Sequence, residues 1–254
     1  MKFPRLAAAL AALLVASGIA YAAPQSFPGG VNNLPLTHWM QGRDALETPY
    51  PTRWSSWFDD FTKYTAGDWV ITTTEAGAGD ATEALADADD GILLITNDVA
   101  DNDLDFLQTV GELFTFESGK KFYFEARFKV NEVIQHDFFI GLQIRDTTAL
   151  AVSDGVFFQS DDGDALLDFH SMSGSADSAA TGVHTMVADT YVTVAFYYDG
   201  ATSIQASVNN TVVATLTAVT PPTTELTVSF GTQAGEITNV KTMSVDYIWA
   251  AKER

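Results

Sequence analysis

Carboxylates are the side chains with the most chemistry to offer in this chain, and their spacing narrows what that chemistry is. Asp101, Asp103 and Asp105 alternate, with Glu112 at the twelfth place counted from Asp101. That mimics the opening of a calcium loop set between two helices. Such a loop needs glycine at its sixth place, where Phe106 stands, and its flanks must be helical. The row therefore reads as an acidic strand end. Asp161-Asp162-Gly163-Asp164 reads first as a turn. His38, His136, His170 and His184 show no metal-motif spacing. There is no cysteine, hence no disulfide and no thiolate metal site. There is no Gly-x-Ser-x-Gly nucleophile elbow either. Asn209-Asn210-Thr211 has the form of a glycosylation sequon, but it lies in a sequence that reads as a tight hairpin.

The elements that must position these groups are strands. Phe122, Phe124, Ala126, Phe128 and Val130 are apolar, while Glu125, Arg127 and Lys129 between them are charged. Successive strand side chains point to opposite faces, so this is a strand with one dry and one wet face. Ile92–Thr96, Leu104–Phe116, Phe138–Ile144, Val156–Gln159 and Leu166–His170 follow as apolar runs. Val192 to Tyr198, Ile204 to Val208 and Val212 to Leu216 alternate, the last two joined by Asn209-Asn210, which tolerates positive φ. Leu226 to Phe230 and Met243 to Trp249 complete the series. Strands about a dozen residues apart with turn signals between them predict an all-β, antiparallel two-sheet sandwich over residues 57–254. Residues 77–90 and 171–180 are small and polar and read as loops.

Thirty-three acids face thirteen bases, a net charge of −20. Nucleic acids and anionic membrane surfaces are bound through clustered cations, so neither is an expected partner. Lys2 and Arg5, the apolar run Leu6–Ile19 and Ala20-Tyr21-Ala22 have the form of a secretory signal over residues 1–22, cleaved at Ala22. On that reading the mature form is not membrane-bound and is secreted or periplasmic. Residues 23–56 hold five of the eight prolines. Proline removes a ladder donor, so this stretch is an extended arm. Its large aromatics, Phe27, Trp39 and Trp54, are the candidate partner-binding residues.

Three pieces resemble the concanavalin A-like jelly roll shared by lectins, laminin G-like modules and family-16 glycoside hydrolases. They are Trp57-Phe58-Asp59-Asp60-Phe61, the Phe124–Lys129 strand and Val245-Asp246-Tyr247-Ile248. The hydrolases of this fold carry a Glu-x-Asp-x-x-Glu strand, since retaining cleavage needs two carboxyls about 5 Å apart. The comparable stretch here is Asp154-Gly155-Val156-Phe157-Phe158-Gln159, with one carboxylate where three are needed. The chain is accordingly expected not to be an enzyme. The resemblance further implies a structural calcium held by Asp246, Gly91 and Asp60, the one cofactor expected.

A second resemblance, to tailed-phage head-decoration proteins with this jelly roll, spans nearly all of the chain after residue 26. It rests on Phe27–Asn33, Phe58–Phe61, Gly141–Ile144, Asp154–Phe158, Tyr197–Gly200, Val228–Gly231 and Val245–Arg254 in that order. It implies a virion structural protein on the capsid surface, a homotrimer whose partner is the major capsid protein. The alternative is a secreted lectin-like module that stacks sugars on aromatics such as Trp39 or Trp54. An exported subunit would miss a capsid assembled in the cytoplasm, so the signal-like segment and the phage resemblance point to different compartments.

Overall fold

The computed structural model describes residues 54–254. The signal-like segment 1–22 and most of the arm, including Phe27 and Trp39, lie outside the described residues. Among the described residues fifteen strands are present: β1 (Trp54–Asp59), β2 (Trp69–Thr74), β3 (Thr82–Leu85), β4 (Leu93–Thr96), β5 (Leu104–Thr109), β6 (Phe122–Val130), β7 (His136–Gln143), β8 (Gly155–Ser160), β9 (Leu166–Ser173), β10 (Ala176–Thr185), β11 (Val192–Tyr198), β12 (Ser203–Val208), β13 (Thr211–Thr217), β14 (Thr227–Ala234) and β15 (Thr242–Glu253). A 3-10 turn at Ala66–Asp68 is the one helical piece among the described residues. No described helix is long and apolar enough to cross a membrane.

All pairings are antiparallel. The eight-strand sheet runs β13-β12-β11-β6-β15-β4-β3, and β1 also pairs with β15. The seven-strand sheet runs β10-β9-β8-β7-β14-β5-β2. The antiparallel two-sheet sandwich expected from the alternation is therefore present. Phe122, Phe124 and Phe128 of β6 meet Phe138, Phe158, Phe169 and Phe230 of the opposing sheet in one core, all essentially without exposed surface. Burial of such rings is the main favourable term in a fold of this kind.

Local chemistry explains the joins. Asn209 and Asn210 both have positive φ, 48° and 63°, and close the β12–β13 hairpin as their type predicts. Two expectations are corrected. Residues 171–180, read as a loop, form the end of β9 and the start of β10, an edge pair in register from Ala176↔Ser173 onward. Residues 82–85, inside the stretch read as loop, form β3. In both places small residues hide the alternation, and pairing with a neighbour supplies what propensity does not. β1 begins at Trp54, three residues before the boundary drawn from the prolines.

β15 is paired on one side along most of its length by β6. On the other side it is shared: β4 takes Thr242–Val245 and β1 takes Ile248–Glu253. A bulge between Val245 and Tyr247 in the β6 pairing leaves Asp246 without a register partner. Bulges re-aim side chains in this way.

Candidate functional site

The stretch singled out by the hydrolase comparison becomes β8. Its residues Gly155, Phe157 and Gln159 face away from the core. Phe157 stacks on Phe139, ring centroids 4.5 Å apart, and on His170 at 5.1 Å, while Phe106 meets Phe139 edge-on at 5.4 Å. Gly141 lies opposite Phe157, and a Cβ there would come within 2.6 Å of the Phe157 backbone. Gly231 lies between Phe139 and Phe106 and is equally crowded. Glycine at these two places lets the rings lie flat on the sheet. Ala149 and Val152, from the segment joining β7 and β8, pack over the rings. Gln108 fastens that segment. Its amide nitrogen donates to the Ile144 carbonyl at 3.1 Å and to the Ser229 hydroxyl at 3.2 Å, and its carbonyl accepts from the Asp146 N–H at 3.1 Å. The chain thus roofs this face itself. Asp154 is occupied in the turn, accepting from the Gly174 N–H at 2.8 Å and the Ser153 hydroxyl at 3.1 Å.

The outer face of the eight-strand sheet is different. Trp54, Tyr123, Tyr197 and Trp249 form a buried aromatic cluster with Ala195 and Ala251. Farther along, Phe58, Tyr191 and Tyr247 are open or half-open. Phe58 keeps 56% of its surface, its ring 6.4 Å from that of Tyr247. The Arg127 guanidinium lies 4.2 Å from the Tyr191 ring centroid, with the Lys129 ammonium at 5.3 Å. Arg127 also pairs with Asp246. Glu125 accepts from the hydroxyls of Tyr123 and Tyr247, the latter at 2.6 Å. Burial, reinforced by Glu125, pushes both phenols well above their ordinary range, so they remain donors. The arrangement is a row of ring faces interleaved with hydrogen-bonding pairs. Aromatic bodies with polar handles suit a ligand that is apolar on its faces and polar at its rim.

Of the residues expected to hold calcium, Gly91 and Asp60 are in contact, while Asp246 stands in the bulge of β15 and pairs with Arg127. Gly91 has φ +70°, and a Cβ on it would lie 2.5 Å from the Asp60 carbonyl oxygen. This is where β4 ends its share of β15 and β1 begins its own. Each side chain already has a protein partner: Asp60 accepts from the Thr62 hydroxyl at 3.1 Å, and Asp246 binds Arg127. Among the described residues no group of three or more His, Cys, Asp or Glu is placed to hold a metal ion. Trp54 is drawn into the buried aromatic cluster, and its carbonyl accepts from Arg254 at 3.1 Å.

Sequence reasoning missed Phe58, Tyr191 and Tyr247 as a surface. The signal was the charged, alternating face of β6, which had to be flanked by something. Which rings flank it depends on the pairing of β1 and β15 with each other.

No protein-family model matches the chain, and a search of curated proteins gives no match. Solved structures do resemble it. An endo-1,3-β-glucanase from Streptomyces sioyaensis is 16% identical with a TM-score of 0.60, over 78% of this chain and 96% of that one. The Bacillus licheniformis β-glucanase is 13% identical with a TM-score of 0.55, over 77% and 97%. Peanut lectin is 14% identical with a TM-score of 0.52, over 79% and 97%. The phage resemblance receives no support from these neighbours. The expectation that the chain is not an enzyme is corrected: further glycosidic hydrolases stand among the neighbours, so the fold gives no ground for excluding catalysis. A missing Glu-x-Asp-x-x-Glu strand removes one arrangement of acids, not every arrangement. At these identities the likeness carries the fold, which is the concanavalin A-like jelly roll.

Proposed function

We propose that this protein engages glycans through the open aromatic strip of the eight-strand sheet. The observation that carries the reading is the contrast between the two outer faces. The aromatic row of the seven-strand sheet is roofed by the chain's own segment, whereas Phe58 is left open and Tyr247 and Tyr191 half-open beside Arg127, Asp246 and Glu125. Sugar rings offer apolar faces to stack and hydroxyls to bond, which is what this strip can receive. Neighbours that include β-glucanases and a lectin support the class of ligand, by analogy of fold.

The test is affinity electrophoresis and calorimetry of the full chain against β-1,3-glucan and mixed-linkage β-glucan, with release of reducing ends followed in parallel. Saturable binding is expected, weakened at least about tenfold by Phe58→Ala, in keeping with the loss of a stacking ring. Reducing-end release separates cleavage from binding alone. A full chain that binds neither glucan, or whose binding Phe58→Ala leaves unchanged, would overturn the reading.

The ordered series of phage-like segments favours a second reading in which the same strip docks on a capsid, with self-association into a trimer. Stoichiometric copurification with phage heads would support it. Export with cleavage after Ala22, shown by mass spectrometry of the native N-terminus, would sink it. A structural calcium at the Asp60–Gly91–Asp246 seam is retained as part of either proposal.

A further inference from the structure

A second acidic place, far from the aromatic strip, has the marks of a ligand site. Asp105 of β5 shares its side of the strand with core-facing Leu107 and points between the sheets. Glu83 of β3 is in register with the buried Ile95 and points inward from the opposite sheet. The two carboxyls meet at the end of the sandwich where β2 and β5 face β3 and β4. Asp105 is fully buried, and neither of its oxygens accepts a hydrogen bond of good geometry. The neighbouring acids are served differently. Asp98 accepts from the Gly79 N–H at 2.8 Å and the Ala100 N–H at 2.7 Å, and Asp103 accepts from the Ala76 N–H. Asp105 is reached by the N–H of its own neighbour Phe106 and by the Glu83 carboxyl, with no cation among the groups acting on it. The side chains acting on it are other acids, Glu83 and Glu75.

Further polar groups stand in the adjoining segments, Tyr64 ahead of β2, Asn97 after β4 and Asp103 before β5. The Asn97 carbonyl oxygen is buried without a hydrogen-bond partner, and the Tyr64 hydroxyl and the Asp103 carboxyl have only the side chains of other acids, Glu83 and Asp98, beside them. With the two oxygens of Asp105, they leave oxygen donors without a positive partner at one end of the fold. Buried polar atoms are rarely left this way, because each costs the full desolvation of the group. Hard cations take oxygen ligands, several at once, and complete their shell with water.

We propose that Asp105 and Glu83 bind a divalent cation, with calcium as the expected ion. The Tyr64 hydroxyl, the Asn97 amide oxygen and water complete the shell. Two carboxylates suffice to neutralise the charge, so the site needs no third acid. The other occupant the geometry admits is a single proton shared between the two carboxyls, and the test separates the two. The proposal is independent of the glycan reading.

Full-length protein, stripped with chelator, is titrated with calcium while thermal melting and binding heat are recorded. A saturable rise in melting temperature is expected in the natural sequence. Asp105→Asn and Glu83→Gln should each weaken calcium binding at least about tenfold, whereas Asp246→Asn should leave this response in place. Asp105→Asn keeps the shape of a protonated carboxyl and is expected to fold; if it does not, Glu83→Gln and the binding heats carry the test. No response to calcium in the natural sequence, or a response that Asp105→Asn and Glu83→Gln leave undiminished, would overturn the proposal in favour of the shared proton or the Asp246 seam.

Discussion

His136 and Asp137 are adjacent on β7, and burial shifts them in opposite directions. His136 is buried, its Nδ1 2.9 Å from the Glu132 carbonyl and its Nε2 bonded to Thr232. Burial, with Lys241 nearby, lowers it to about 4, while Glu132 acts the other way. A base whose folded value is depressed contributes stability in full above its ordinary 6.5, and loses it as pH falls through about 4. Asp137 is raised to about 6 by burial and by Asp162, Asp161 and Asp101. Its contribution is complete below 3.8 and is lost as pH rises through about 6. The two partly offset each other on the acid side. Thermal melts between pH 7 and 4 should show a flatter acid limb in His136→Gln and a steeper one in Asp137→Asn. Equal slopes in all three proteins would refute the assignment. Neither residue announces this in sequence, where His136 is one of four histidines without a motif. The environment that shifts it comes from the 132–135 turn, β14 and Lys241, far apart in the chain.

At the scale of elements, the segment between β7 and β8 behaves as a roof with one fastener. Gln108 joins it to β5 and β14 at once. Gln108→Leu keeps the apolar volume and removes these bonds. It should cost about 1–3 kcal/mol and speed amide exchange over residues 144–153 more than elsewhere. Unchanged exchange there would mean that Ala149 and Val152 hold the roof unaided. The alternating strands β6, β11, β12 and β15 could be read from the chain, because one buried face leaves a period of two. β3 and β10 could not, because small residues at an edge carry little of that period. Asp105 and Glu83 were legible as acids but not as a pair. Their meeting is made by strands of opposite sheets, and one of those strands is β3. Likewise Phe58 reads as part of an aromatic opening motif, and its openness follows only from the register Phe58↔Trp249.

The whole molecule carries a charge of −20. Self-repulsion of this size destabilises the compact state and is screened by salt within roughly 10 Å at 0.1 M. Raising sodium chloride from low to moderate concentration should therefore raise the melting temperature, in chelated protein as well as in calcium-loaded protein. A fall would mean that ion pairs such as Arg127–Asp246 outweigh the general repulsion. β15 has a consequence of another kind. This twelve-residue strand lies in the interior of its sheet, with β6 on one flank and β4 and β1 on the other. Until it leaves the ribosome, β1, β4 and β6 lack the strand that joins them, and the apolar face of β6 has no finished sheet around it. The eight-strand sheet thus closes only once β15 is in place. A stalled or shortened chain exposes that face to whatever holds nascent proteins in the cell.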